Sequence, residues 1–205
     1  MIVIIDYGAG NMFSVRNALE FIGVGCKFSD NPDELRKADK LILPGVGAFP
    51  DAMKMLDGRG LTEVIKEQAR VKPLMGICLG MQMLFDKSFE FGETDGLGLI
   101  KGTVELMNPA DLVVPHMGWN ALEKETPCAL SESFRDGEYV YFVHSYAAVC
   151  STANVAAYSD YGGKIPALVF GGERESVFGC QFHPEKSGGV GLSMLKAFAE
   201  LPVVA

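Results

Sequence analysis

The chain has 205 residues, of which 48% are hydrophobic and 21% are charged, and its formal net charge is −8. This is the composition of a globular protein with enough apolar side chains for a core, so it excludes disordered and fibrous chains. The acidic balance argues against nucleic acid and anionic membranes as partners, because neutralising phosphates supplies most nucleic-acid affinity.

The five cysteines, at positions 26, 78, 128, 150 and 180, are odd in number and far apart. Zinc sites usually need closely spaced Cys and His pairs, so we expect no metal and no cofactor. The first residues lack the basic region of a signal peptide, and the apolar runs are too short to span a membrane. We therefore expect a cytoplasmic protein without disulfides, in which Cys26, Cys128, Cys150 and Cys180 serve as packing residues.

Short continuous apolar runs predict strands that are buried on both faces. They cover residues 2–5, 41–43, 74–77, 140–143, 167–170 and 177–182. Helical spacing separates several of them, over 12–22, 61–68 and 192–199, and a helix start is predicted where proline and two acids follow Asn31. This alternation predicts an α/β fold, with one domain over 1–205 and an open, mostly parallel sheet flanked by helices.

The middle of the chain differs from the rest. From about residue 96 to residue 142, turn-forming residues are frequent and helical periodicity fades. We expect shorter strands there, some of them antiparallel, which would make the sheet mixed.

Ligands of open parallel sheets bind beyond the carboxyl ends of the strands, and Cys78 lies at such an end. Residues 76–80 read GICLG, between a predicted strand and a helical stretch over 81–85. This pattern is typical of a nucleophile elbow, in which glycines allow a sharp turn and the helix N-terminus stabilises a thiolate. Most free cysteines are small buried hydrophobes, but the flanking glycines favour the nucleophile here.

A thiolate nucleophile needs a histidine to move protons and an acid to orient that histidine. His183 and Glu185 offer both at the end of another strand, and Pro184 between them stiffens the link. A structural histidine beside a surface glutamate is the alternative. His144, which also ends an apolar run, is a rival base, and His116 in the irregular region is the weakest candidate.

Three further features remain open on the residues alone. Residues 44–47 (PGVG) end a strand, and their N–H groups could complete an oxyanion hole or form a plain turn. Residues 8–10 begin a dinucleotide-binding motif, but Phe13 stands where its third glycine belongs, so we interpret them as a tight turn beside the site. Trp119, the single tryptophan, fits either the core or an exposed interface.

Residues 76–82 (GICLGMQ) and 181–185 (QFHPE) together resemble the class I (triad) glutamine amidotransferases. Residues 6–11 (DYGAGN), 44–47, 116–120 (HMGWN) and 141–146 (YFVHSY) resemble the glutaminase subunits of imidazole glycerol phosphate synthase, from histidine biosynthesis. The resemblance covers essentially the whole chain without departure at a triad position. It implies the class I amidotransferase fold and an enzyme that hydrolyses glutamine to glutamate and ammonia.

The resemblance also implies residue roles. Cys78 attacks the side-chain amide of glutamine, His183 transfers the proton, and Glu185 orients His183. The oxyanion hole is formed by Val46, Gly47 and Leu79, and the glutamine contacts are Gln82, Glu90 and, at the α-carboxylate end, His144, Ser145 and Tyr146. By spacing alone, Gln82 and Glu90 also fit a solvated helix surface.

Finally, the resemblance implies a partner, a cyclase subunit with a (β/α)8 barrel that forms a heterodimer and receives ammonia through a tunnel. In that family the glutaminase is poorly active until the partner binds its nucleotide. The partner face is expected to include Met117, Trp119, Asn120 and Lys186. A stand-alone cysteine hydrolase, a glutaminase of another synthase and a non-catalytic binding module are the alternatives.

Overall fold

The computed structural model describes residues 1–109 and 112–203. Its strands are β1 (Ile2–Ile5), β2 (Cys26–Ser29), β3 (Lys40–Gly45), β4 (Leu74–Cys78), β5 (Phe85–Ser88), β6 (Thr94–Asp95), β7 (Ile100–Leu106), β8 (His116–Ala121), β9 (Glu123–Lys124), β10 (Tyr139–His144), β11 (Tyr146–Cys150), β12 (Val155–Asp160), β13 (Lys164–Gly171) and β14 (Val177–Cys180). The helices are α1 (Met12–Phe21), α2 (Pro32–Lys37), α3 (Phe49–Gly58), α4 (Thr62–Ala69), α5 (Leu79–Gln82) and α6 (Gly188–Glu200).

The main sheet has eight strands in the order β2-β1-β3-β4-β14-β13-β12-β9. The first five are parallel to one another, and β13, β12 and β9 continue the sheet in antiparallel fashion. The predicted single-domain α/β fold with a mostly parallel, mixed sheet is therefore confirmed. The carboxyl ends of β3, β4 and β14 lie side by side at the centre, where the sequence motifs converge.

Alternating side chains of the central strands divide the core into two layers. Val3, Ile5 and Leu41 pack on one face against α2, α3 and α4, whereas Ile2 and Ile4 pack on the other against α1 and α6. Because both faces are covered by helices, most positions of the central strands are apolar, which is why these strands contain continuous apolar runs.

The predicted elements agree with the structure in most of their positions. The helix start at Asn31 is confirmed, since its Oδ1 accepts a hydrogen bond from the Asp33 N–H at 2.9 Å. The expected helix over 81–85 is wrong, because α5 is a single turn and β5 follows it to pair with β7. The apolar run over 177–182 forms a strand only to Cys180, and the pattern gave no prediction of α3 or β2.

The middle region forms two smaller sheets. One has the order β11-β7-β5-β6, and the other is the two-stranded ribbon β8–β10. The expected antiparallel pairing is confirmed for β8 with β10 and for β7 with β11, but β7 and β8 are not shorter than the strands of the main sheet. The β5–β6 pair, also antiparallel, lies before the region of that prediction. The β8–β10 ribbon matters for function because β10 ends beside Cys78, with the Val143 carbonyl 3.9 Å from the Cys78 Sγ.

Candidate active site

Cys78 is the turning point between β4 and α5. Its φ is 54° and its ψ is −111°, a strained combination for a residue with a side chain. The neighbouring glycines make this turn possible, since a Cβ on Gly76 would lie 2.5 Å from the Gly80 carbonyl oxygen, and one on Gly80 would collide with the Leu43 carbonyl oxygen. The predicted sharp turn from strand to helix at Cys78 is therefore present. Since α5 is a single turn, its contribution is its unpaired N–H groups rather than a long helix dipole.

His183 and Glu185 follow β14, the strand next to β4. His183 Nδ1 lies 2.8 Å from Glu185 Oε1, and both side chains are almost fully buried. The short 3₁₀ turn Pro184–Lys186 sets this geometry, and the Ser187 hydroxyl fixes it by donating to the His183 carbonyl at 2.6 Å. With Nδ1 held by the carboxylate, Nε2 is the ring nitrogen left to exchange a proton with Cys78.

The environment of His183 favours its protonated form. Burial lowers the pKa, but hydrogen bonding and charge attraction from Cys78 and Glu185 outweigh it and raise the pKa of His183 to about 9. The imidazole therefore holds a proton at neutral pH that it can give to a leaving group.

One cavity of about 410 Å³ joins the predicted residues. Its lining includes Cys78, His183, the three predicted oxyanion residues Val46, Gly47 and Leu79, and the five predicted glutamine contacts Gln82, Glu90, His144, Ser145 and Tyr146. Pro115 and Val143 complete the lining. Glu185 is outside this lining and contacts the Nδ1 side of the His183 ring.

Gln82 is buried in the cavity wall, so the alternative of a solvated helix surface is wrong for it. Its Nε2 donates to the Tyr146 carbonyl at 2.9 Å and to Gln181 Oε1 at 3.0 Å. Gln181 in turn has its Nε2 3.8 Å from the Cys78 Sγ. The sequence reasoning gave Gln181 no role, although a polar residue in the buried run over 177–182 was a signal for one.

Glu90 reaches the cavity from the loop after β5. Its Oε2 accepts a hydrogen bond from the Phe49 N–H at 2.7 Å, at the beginning of α3. This bond ties the Glu90 loop to the segment that follows the PGVG turn. In that turn Gly47 has a φ of +100°, and Val46 is 45% exposed, so the peptide between them is held by few contacts.

Tyr7 is a second residue that the sequence reasoning missed. Its hydroxyl is buried without a hydrogen-bond partner among the described residues. Burial and the nearby Cys78 raise the pKa of Tyr7, so the hydroxyl stays neutral beside Cys78.

His144 is not suited to be the catalytic base. Both of its ring nitrogens are engaged, Nδ1 with the Tyr146 carbonyl at 2.9 Å and Nε2 with His116 Nδ1 at 3.0 Å. Burial is the main cause that lowers the pKa of His144 to about 4; the charges of His116 and His183 act in the same direction, and the hydrogen bond to the Tyr146 carbonyl opposes them. Between the two candidate bases, the geometry favours His183.

Of the expected partner residues, Met117 and Trp119 lie on the exposed side of the β8–β10 ribbon, and the exposed Lys186 lies in the 3₁₀ turn Pro184–Lys186. Met117 is 61% exposed and Trp119 is 52% exposed, so Trp119 is not a core residue. Tyr141 links Trp119 to Lys186, since the centre of its ring lies 6.0 Å from that of Trp119 and 5.9 Å from the Lys186 Nζ. Asn120 is half-buried, and its side chain is used internally.

Known proteins are similar to this chain over nearly its whole length. The family described as glutamine amidotransferase class-I matches residues 3–200. The chain is 49% identical over 203 residues to the imidazole glycerol phosphate synthase subunit HisH of Listeria monocytogenes (serotype 4a, strain HCC23), covering 98% of this chain and 96% of that protein. It is 48% identical over 199 residues to the subunit of the same name from Bacillus cereus, with coverages of 97% and 93%.

Solved structures share the fold at lower identity. A crystal structure of a glutamine amidotransferase has a TM-score of 0.75 and 20% identity, covering 98% of this chain and all (100%) of that one. The structure of PurLQS from Thermotoga maritima has a TM-score of 0.74 and 23% identity, with 96% of each chain covered. Among the residues that the structure describes, no helix is both long and apolar enough to cross a membrane.

Proposed function

The chain belongs to the class I glutamine amidotransferase family, and we propose that it is the glutamine-hydrolysing subunit of an imidazole glycerol phosphate synthase. On this proposal residues 1–205 form one amidotransferase domain that acts in histidine biosynthesis. The observation that carries the proposal is the convergence of Cys78, His183 and Glu185 at one cavity beyond the ends of β4 and β14.

The reaction follows from the protonation state of the triad. The Cys78 sulfur attacks the side-chain carbonyl carbon of glutamine and forms a C–S bond, while the oxygen takes the negative charge. The N–H groups of Leu79 and of the Val46–Gly47 turn stabilise that oxyanion. His183 donates its proton to the amide nitrogen, the C–N bond breaks, and ammonia leaves.

Water then resolves the thioester. His183, now neutral, accepts a proton from the water that attacks the thioester carbonyl, and Glu185 stabilises the imidazolium that forms again. The C–S bond breaks and glutamate is released. Gln82 and Glu90 hold the substrate beside the nucleophile, and His144, Ser145 and Tyr146 hold its α-carboxylate end.

The ammonia must reach its acceptor without meeting bulk water, because the ammonium ion that would form there is not a nucleophile. We propose that it passes to a cyclase subunit with a (β/α)8 barrel, bound as a heterodimer against the face with Met117, Trp119, Asn120 and Lys186. Met117, Trp119 and Asn120 lie on β8, which pairs with β10, and the Val143 carbonyl of β10 lies beside Cys78. On this proposal, partner binding acts on the cavity wall through the β8–β10 ribbon. The Val46–Gly47 peptide is the proposed switch, since Gly47 tolerates either orientation.

Covalent labelling tests the role of the nucleophile. A reactive glutamine analogue should add one mass increment to the intact chain, and the increment should map to Cys78. Labelling should accelerate when the cyclase and its nucleotide ligand are present. The Cys26→Ser variant should label normally, because Cys26 lies in the edge strand β2, which β1 and β3 separate from β4. A chain that stays unlabelled with the loaded partner would support a non-catalytic binding module instead.

A further inference from the structure

A chain of hydrogen bonds leads away from the cavity through the β8–β10 ribbon. From the Tyr146 carbonyl it passes through His144 and His116 to the side chain of Asn120, with N···O or N···N distances of 2.9, 3.0 and 3.0 Å. Both imidazole side chains are buried, His116 completely. These hydrogen bonds connect the cavity wall to β8, the strand that carries Met117 and Trp119 of the expected partner face.

The two ends of this chain can only accept hydrogen bonds. Tyr146 contributes a backbone carbonyl. Asn120 faces His116 with Oδ1, and its orientation is set by its Nδ2, which donates to the Asp160 carbonyl at 3.2 Å. If the amide were turned over, two carbonyl oxygens would face each other at that contact.

The neutral histidine pair has fewer N–H groups than its contacts need. Three contacts lie between the two accepting ends, namely carbonyl to His144, His144 to His116 and His116 to amide oxygen. Each needs one N–H, but two neutral imidazoles supply only two. In the neutral pair one contact therefore joins two acceptors, whichever tautomers are chosen.

We propose that the His116–His144 pair binds one extra proton, carried by His116, and that this proton positions His144 and the Tyr146 carbonyl at the glutamine cavity. His116 is thus a positioning residue that acts through His144, and the inference rests on the proposed function. When all three contacts have a proton, the Tyr146 carbonyl is fixed in place, and with it Gln82, whose Nε2 donates to the same carbonyl.

The surroundings decide which histidine carries the proton. His116 is stacked between the rings of Tyr161, 3.9 Å away, and Phe142, 4.6 Å away, an arrangement that favours a cation. His144 is placed between His116 and the protonated His183, so a charge there is disfavoured.

The other titratable groups near the pair do not compete for this proton. The Tyr161 hydroxyl donates to the Val113 carbonyl at 2.7 Å, and the Asp160 carboxylate accepts from the Gly163 N–H at 3.3 Å. Cys78 and Glu185 interact with His183 on the far side of His144. Burial lowers the pKa of His116, while the hydrogen bond to Asn120 raises it, so we expect the extra proton below the ordinary histidine range.

Nitrogen NMR of the histidine side chains tests the protonation directly, because the chain has only three histidines. Contacts to the ring protons of Phe142 and Tyr161 identify the His116 signals. We expect His116 to carry protons on both nitrogens at about pH 5 and to lose one as the pH approaches about 7, while His144 stays protonated at Nδ1 only. A His116 that stays neutral down to about pH 4.5 contradicts the proposal.

Kinetics of the cyclase complex with its nucleotide ligand test the positioning role. The KM for glutamine should rise about tenfold as His116 loses its proton, because a charge-assisted hydrogen bond is lost, whereas kcat should change less than about threefold. His116→Phe keeps the stacked ring and should give the high KM at every pH. Tyr161→Phe, which keeps the ring and loses only the bond to Val113, should retain the wild-type profile.

The outcomes separate the two proposals. If the wild-type complex hydrolyses no glutamine at any pH, the proposed function fails, and the NMR result still decides the protonation. If the complex is active but the KM of wild type and His116→Phe is the same and independent of pH, the positioning role is wrong. A profile lost equally in Tyr161→Phe would also contradict it, since ring packing alone would then explain the effect.

Discussion

The elbow at Cys78 and the β8–β10 ribbon both border the same cavity, but different forces shape them. At the elbow the backbone leaves no room, since a Cβ on Gly45 would lie 2.5 Å from the Gly80 N and one on Gly76 equally close to the Gly80 carbonyl. In the ribbon the decisive contacts are hydrogen bonds between side chains, and the exposed Trp119 lies on β8 beside β10, whose Val143 carbonyl is 3.9 Å from the Cys78 Sγ. On the proposals above, the elbow is the rigid half of the site that carries the chemistry, and the β8–β10 ribbon is the polar half that responds to a partner and to pH.

The largest effect is expected when a side chain that carries the chemistry beside the elbow is removed. Replacing Cys78 by Ala should lower glutaminase kcat in the cyclase complex by a factor of about 10⁴ or more, because no C–S bond can form. His183→Ala should have an effect of the same order, and the double variant should be no worse than either single one. Additive losses, measured by steady-state ammonia release, would mean that the two residues do not act as a unit.

The next largest effect tests the packing of the elbow. Gly80→Ala should lower the free energy of unfolding by about 3 kcal/mol or more, because the added Cβ collides with the Leu43 carbonyl and backbone must move. Gly58→Ala is the matched control, since nothing lies within 4 Å of its Cβ position at the end of α3. Urea unfolding measures both. Equal stability of the two variants would show that the elbow is less crowded than described.

In the responsive half, Trp119→Ala should reduce the stimulation by the loaded cyclase about tenfold, as expected for an interface aromatic. Its free energy of unfolding should change by less than about 0.5 kcal/mol because the side chain is half exposed. Val149→Ala, an equally exposed position on β11, should leave stimulation unchanged. Full stimulation of the Trp119 variant would place the partner elsewhere.

The smallest expected effect is a change of folding stability with pH. His144 in the ribbon causes a loss of stability on the acid side, and His183 beside the elbow causes one on the alkaline side. His144, with its pKa lowered to about 4, favours folding above its ordinary pKa, so stability should fall as the pH drops from about 6.5 towards 4. His183, with its pKa raised to about 9, contributes stability that is complete below about 6.5 and lost as the pH rises through 9.

Thermal unfolding from acid to alkaline pH should therefore show a maximum near neutrality, with each arm no steeper than about 1.4 kcal/mol per pH unit and histidine. His183→Ala should remove the alkaline arm and keep the acid one. A variant that loses both arms, or a wild type whose stability does not change over this range, would contradict the assignment of one arm to each half.

The difference between the halves also explains what could be predicted from the sequence. Runs of apolar residues and glycines at fixed offsets are local signals, so β1, β4, the helix beginning after Asn31 and the elbow around Cys78 were all predictable. The bond between Gln82 and Gln181 joins residues 99 positions apart, and that between His116 and His144 spans 28. Such pairs depend on the sheet topology and have no periodic signature, which is why the roles of Gln181 and His116 required the structure.

Glutamine hydrolysis by the purified chain tests the central claim most directly, measured alone, with a cyclase subunit, and with that subunit plus its nucleotide ligand. A cyclase-dependent glutaminase should show low activity in the first condition and a large rise in the third, and Cys78→Ala should abolish that rise. Equal activity in all three conditions would contradict the account and indicate a free-standing hydrolase.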